Sequence, residues 1–230
     1  KERYSRRTRS DLQIAEQHFQ RAIALDPGFA RAHASLALVH LRDVMDAWNV
    51  DPVSALQRAH AGSNQAIELD NALPEAHFAS AVVALFQRRY EQAIDELDRA
   101  ISLRPSYADA YASLAWVLHF AGRPEGGRPY LETAIQLNPH VAASYLLIDG
   151  GIAFTLGETQ TAVIRLEQAM DMSPTHPRIL LWLAAAYARA GRLEEANWII
   201  QELQLLHPSI SLSRLDHAFP FRDCLLYTSP

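Results

Sequence analysis

Between Pro74 and Pro139 the chain repeats itself. Written as two lines, PEAHFASAVVALFQRRYEQAIDELDRAISLRP and ADAYASLAWVLHFAGRPEGGRPYLETAIQLNP, the stretch closes each line on a proline, Pro105 and Pro139, 34 residues apart. The apolar positions of the two lines superimpose, and small residues recur at matching places, Ala81 with Ala115 and Ala100 with Ala134. Small residues at fixed repeat positions are what helices need in order to approach closely. A period of this length holds one helix, a tight turn and a second helix, and such a pair cannot bury its apolar face alone. It must stack on copies of itself, so the chain is expected to be an array without a single central core.

The pattern extends in both directions. Residues 11–25 carry Ile14, Ala15, Phe19, Ala22 and Leu25 at helical spacing, with Ser10 or Asp11 as a cap, and stop at Asp26-Pro27. Five pairs follow, at 30–71, 74–105, 108–139, 143–174 and 177–208. The first of these is long, a 44-residue step from Pro27 to Asn71 with an irregular piece at Asp43–Val50 containing Trp48. Asp51-Pro52 reads as the cap and first position of its second helix. In the third pair Gly126, Gly127 and Pro129 fall where the second helix should begin, which predicts a late start near Arg128. Residues 1–10 read as the remnant of a truncated first repeat, and 209–223 as the start of a truncated terminal cap. Residues 224–230, CLLYTSP, resemble the translation of a transposon mosaic end used in sequencing adapters. On that reading Cys224 is not biological, and the segment is not expected to belong to the fold. Both cut ends are expected to expose helix faces and to favour self-association.

Over residues 11–208 these features resemble the tetratricopeptide repeat, which implies an all-α, right-handed α-solenoid of antiparallel helix pairs. A narrower resemblance rests on Arg7-Thr8 with Leu12, on the long pair with Asp51-Pro52, and on the exit His207-Pro208 with Pro220-Phe221-Arg222-Asp223. These are similar to the repeat region that follows the catalytic domain of bacterial class III adenylate/guanylate cyclases, a region also found attached to winged-helix regulators. The resemblance implies a sensory or protein-interaction domain of a larger bacterial signalling protein, with a free-standing scaffold and a winged-helix regulator as alternatives. It also implies that first helices line a concave groove for a protein or peptide. The groove candidates by register are Phe78, Val82, Phe86, Trp116, His119, Phe120, Phe154, Arg178 and Arg189. Tetratricopeptide domains that clamp a chaperone's terminal carboxylates use lysine and asparagine where Phe78, Val82, Ala112 and Trp116 stand, so that mode is not expected here.

Chemistry-bearing patterns are sparse. The ten histidines include no HExxH, and with one cysteine there is no Cys/His cluster. His33 and His77 share a repeat position, where a packing role is expected. Asp95, Glu96 and Asp98 read as a solvated helix face, and Gly126-Gly127 lacks the strand and lysine of a phosphate loop. No catalytic residue, cofactor or metal ligand is therefore assigned. A net charge of −5 gives no basic field to recruit nucleic acid. No apolar run approaches the roughly 20 residues that span a bilayer. A reducing, cytoplasmic location is the expectation.

Overall fold

The computed structural model describes residues 9–45, 51–140, 142–208 and 219–222. Among them are eleven helices. A single helix, α1 (Arg9–Leu25), precedes five pairs: α2 (Ala30–Met45) with α3 (Pro52–Leu69), α4 (Pro74–Phe86) with α5 (Tyr90–Leu103), α6 (Ala108–Phe120) with α7 (Pro124–Leu137), α8 (Ala143–Thr155) with α9 (Thr159–Met172), and α10 (Pro177–Arg189) with α11 (Leu193–Leu206). Residues 1–8, Asp46–Val50 with Trp48, and 223–230 with Cys224 lie outside the described residues, as does most of 209–223.

The helix boundaries follow from local chemistry. Proline opens α3, α4, α7 and α10, where its missing N–H costs nothing. Asp51 caps α3 by accepting from the Ser54 amide at 3.1 Å. The turns inside the last four pairs close in the same way, by a hydrogen bond from each turn's last amide to a carbonyl five residues back: Arg89 to Ala84, Arg123 to Leu118, Glu158 to Ala153 and Arg192 to Tyr187. Such a closure needs one residue with positive φ. Glycine supplies it at Gly122, Gly157 and Gly191, whereas the equivalent turn of the earlier pair uses Arg88 at φ 59°.

Each pair packs tightly on itself and on the next, and the first helices also touch one another, α2 with α4, α4 with α6, α6 with α8 and α8 with α10. The result is two layers, first helices in one and second helices in the other. Alanine lines the seam between them, and Ala81, Ala115, Ala93, Ala162 and Ala134 have no exposed surface. Where the approach is tighter still, glycine replaces alanine. A Cβ on Gly127 would lie 2.8 Å from the Ala115 carbonyl oxygen, and one on Gly150 would lie 2.6 Å from Leu166 Cγ. Two apolar clusters form the interior, one in α2–α4 and a larger one running from α4 through α11.

Three expectations need correction. Helix α7 begins at Pro124, not near Arg128, and holds Pro129 inside it. Gly127 lets this helix lie against α6, so tertiary contact overrides the weak local preference of the two glycines. Ser10 and Asp11 lie within the first turn of α1 and not at the position that precedes it, and Asp11 suits the positive end of the helix dipole. On the same helix Ile14 and Leu25 point outward, 50% and 80% exposed, since among the described residues α2 is the one helix packed closely on α1.

Candidate functional site

The groove candidates do not form one surface. On α4, Phe86 is buried in the first apolar cluster with Val82 packed against it, and Phe78 leans on Tyr107 with ring centroids 5.3 Å apart. Arg104 lies over the Tyr107 ring and ion-pairs with Glu75 at 2.8 Å. Arg178, expected at the groove rim, is buried in the first turn of α10 at 5% exposure. The remaining five candidates come together.

Their meeting point depends on a row of side chains at one repeat position: Val82, Trp116, Gly151 and Ala185. Gly151 has no side chain to block its neighbour, and a Cβ there would lie 2.8 Å from Trp116 Cζ3. The Trp116 indole therefore lies across α8 and meets Trp182 of α10, with centroids 6.3 Å apart. Two side chains from helices two repeats apart can touch only if the first-helix layer curves inward, since adjacent packed helices already sit about 8–10 Å apart. His119 stacks on Trp116 at 4.8 Å and an interplanar angle of 6°, and Phe120 meets the same indole edge-on at 4.5 Å. Phe154 meets Trp182 edge-on at 5.3 Å, and the Arg189 guanidinium carbon sits 3.5 Å above the Phe154 ring.

This aromatic nest is already filled. Phe219 packs on Trp182 at 5.8 Å, while Phe221 meets Phe120 at 4.6 Å, His119 at 5.2 Å and Trp182 at 6.1 Å. Both rings are buried, at 7% and 3% exposure. The Tyr90 hydroxyl donates to the Pro220 carbonyl at 2.9 Å, and the Arg222 amide donates to the Phe120 carbonyl at 3.0 Å. That carbonyl belongs to the last turn of α6, where helix geometry leaves acceptors without an intrahelical partner. Arg222 then borders a shallow cleft with Arg88, Arg89, Tyr90, Glu91 and Gln92.

Electrostatics in the nest follow from burial. His119 is fully buried, neither ring nitrogen has a hydrogen-bond partner among the described residues, and desolvation pushes its pKa down to about 3. Beyond the nest, polar groups tie helix to helix. The Tyr145 hydroxyl donates to Asp109 and that of Tyr187 to Glu167, each at 2.7 Å, and burial followed by the carboxylate contact pushes both phenols up to about 12. His77 is hydrogen-bonded to the Asn71 carbonyl at 2.9 Å and to Glu96 at 2.6 Å, and His33 to the Pro27 carbonyl at 3.0 Å. These histidines tie the inter-repeat turn as well as packing, and Glu96 is a half-buried partner, not part of a solvated face. Among the described residues no group of three or more His, Cys, Asp or Glu side chains is placed to hold a metal ion. No described helix is long and apolar enough to cross a membrane.

Register arithmetic missed Trp182, Tyr90, Phe219 and Phe221. Trp182 left a signal, because its row otherwise reads Ala79, Ser113 and Ile148. The other three left none, since nothing in the local pattern says that residue 220 returns to residue 90.

Comparison with known proteins is consistent with this geometry. Family models described as "Tetratricopeptide repeat" match residues 4–44, 108–141 and 153–214, and one described as "TPR repeat" matches 86–122. Among solved structures, a thermophilic TPR protein of Thermus thermophilus is 25% identical, covering 80% of this chain and 98% of that one at a TM-score of 0.60. The PilF protein of Pseudomonas aeruginosa is 21% identical over 90% of this chain and 89% of its own, at a TM-score of 0.58. The Cut9–Hcn1 hetero-tetramer of the APC/C aligns with 94% of this chain and 40% of that one, at 16% identity and a TM-score of 0.70. A Rhizobium meliloti (strain 1021) protein named "Putative adenylate cyclase 3" is 33% identical over 79 residues, which make up 34% of this chain and 14% of that protein.

Proposed function

We propose, from the premise that the chain belongs to the tetratricopeptide-repeat family, that it is the interaction domain of a larger signalling protein and follows a nucleotide cyclase catalytic domain. The family is one of protein-interaction modules. The single observation that favours the cyclase context is the 33% identity over 79 residues to the adenylate cyclase relative. The chain corresponds to a small part of that relative, so the catalytic step would belong to residues outside it. In this reading a cytoplasmic protein or peptide enters the groove formed by the first helices. Binding favours one curvature of the array, and the attached output domain responds to that curvature; a ligand shifts such an equilibrium only by its difference in affinity for the two states.

The test is to sequence the source locus outward and express the complete gene product with and without residues 9–208. A catalytic domain upstream, and cyclic-nucleotide formation that changes when the repeats are removed, are expected. A reading frame that begins just before Lys1, or one that encodes a winged helix upstream, would overturn the cyclase context.

A further inference from the structure

A solenoid is held together by contacts between neighbouring repeats, and its curvature is the sum of small rotations from one repeat to the next. In this array the first helices touch one another far more sparsely than they touch their pair partners, so the inner layer constrains those rotations least. At Gly151 of α8 the inner face carries no side chain. Across it α6 meets α10, Trp116 and His119 lying 6.3 and 5.7 Å from Trp182 between ring centroids.

Phe219–Arg222 sits on that seam and touches both sides of it. The Phe221 ring meets Phe120 and His119 of α6 and Trp182 of α10 at once, and Phe219 packs on Trp182. Two main-chain contacts fix the segment, one from the Tyr90 hydroxyl of α5 to the Pro220 carbonyl and one from the Arg222 amide to the Phe120 carbonyl of α6. Four residues thus join the pairs α4–α5 and α6–α7 to α10, beyond the intervening pair α8–α9.

The same segment is built to let go. It belongs to no helix, so it can leave without breaking a helical hydrogen-bond ladder. Phe221 is also one of four rings, with Trp116, Phe120 and Trp182, that enclose the fully buried His119. Neither imidazole nitrogen has a hydrogen-bond partner among the described residues, and a polar group buried in that state opposes docking.

We propose that Phe219–Arg222 is a detachable strap that sets the curvature of the inner helix layer, its docking and release being the two states of the array. Docked, it holds α10 toward α6 across Gly151. Released, the repeats relax to the rotations that their neighbour contacts alone prefer, and the inner layer widens. The inference deepens the interaction-domain reading above, in which the output domain responds to curvature, and names the element that controls it.

The test is a distance measurement by double electron–electron resonance on the full 230-residue chain with Cys224→Ser, spin-labelled at Val82→Cys of α4 and Ala185→Cys of α10. These positions are equivalent in their repeats and face the inner side, half-buried and exposed. Adding F219A/F221A should move the distance distribution to longer values and broaden it. A variant with unchanged helical circular dichroism and an unchanged distribution overturns the proposal. If the double variant loses its helical signal, Tyr90→Phe decides, because it removes only the hydroxyl that holds Pro220. The longer-distance population should then rise about fivefold, the scale of one lost hydrogen bond. No rise overturns the proposal. Failure here would leave the cyclase context untouched, since that is decided by the upstream reading frame and by cyclic-nucleotide formation.

Discussion

Arg88 holds φ 59° at the place where three other turns carry glycine, and it also borders the shallow cleft beside Tyr90. A non-glycine residue in the left-handed region costs roughly 1 kcal/mol. Arg88→Gly should therefore raise stability by about 0.5–1 kcal/mol, read as a higher urea midpoint at unchanged m-value. His119 sets a second expectation. Its folded-state pKa of about 3 lies below the unfolded value of 6.5, so only the unfolded chain takes up that proton as the pH falls between them. Stability from this group is complete above pH 6.5 and is lost toward pH 3, with a limiting slope of about 1.4 kcal/mol per pH unit. In His119→Phe the difference in stability from the parent chain should grow steadily from neutral to acid pH, as measured by urea melts across that window.

At the scale of single elements, α7 shows what packing can impose on an unpromising sequence. It contains Gly126, Gly127 and Pro129, yet runs unbroken from Pro124 to Leu137. The two glycines are not equivalent. Gly126 has open space around its missing side chain, whereas a Cβ on Gly127 would meet the α6 backbone at the Ala115 carbonyl. Gly126→Ala should stabilise by about 0.5–1 kcal/mol through helix propensity. Gly127→Ala should destabilise by about 1–3 kcal/mol by forcing α7 away from α6. Opposite shifts in thermal midpoint for adjacent Gly→Ala changes would confirm the assignment, and equal shifts would refute it. At this scale the sequence was readable where the signal is local. The Asp51-Pro52 start of α3 could be read directly, whereas the start of α7 depended on a contact with another helix.

Across the whole molecule, stability should be graded along the array. Among the described residues helix α1 has α2 alone as a large neighbour, and its Ile14 and Leu25 are half-exposed or more. Helix α6 contacts α5, α7 and α8, and also carries the nest. Amides of α1 should therefore exchange with solvent orders of magnitude faster than those of α6 in native-state hydrogen exchange, because opening α1 exposes little apolar surface. The contact between Tyr90 and Pro220, 130 residues apart, runs against the nearest-neighbour logic of a solenoid. It joins the start of α5 to a segment beyond the last helix.

The sequence alone determined the helical period, the pairing of helices, the close-packing rows of small residues and the aromatic character of the inner layer. Each of these depends on residues within one or two repeats of one another, so spacing is enough to express it. Tertiary structure decided which of the nine groove candidates meet. Curvature brought Trp116 across Gly151 to Trp182, burial drew Phe86 and Arg178 inward, and the chain's return placed Phe219 and Phe221 over the nest. These outcomes sum small rotations over several repeats and close a loop of more than a hundred residues, and no periodicity in the chain encodes that sum.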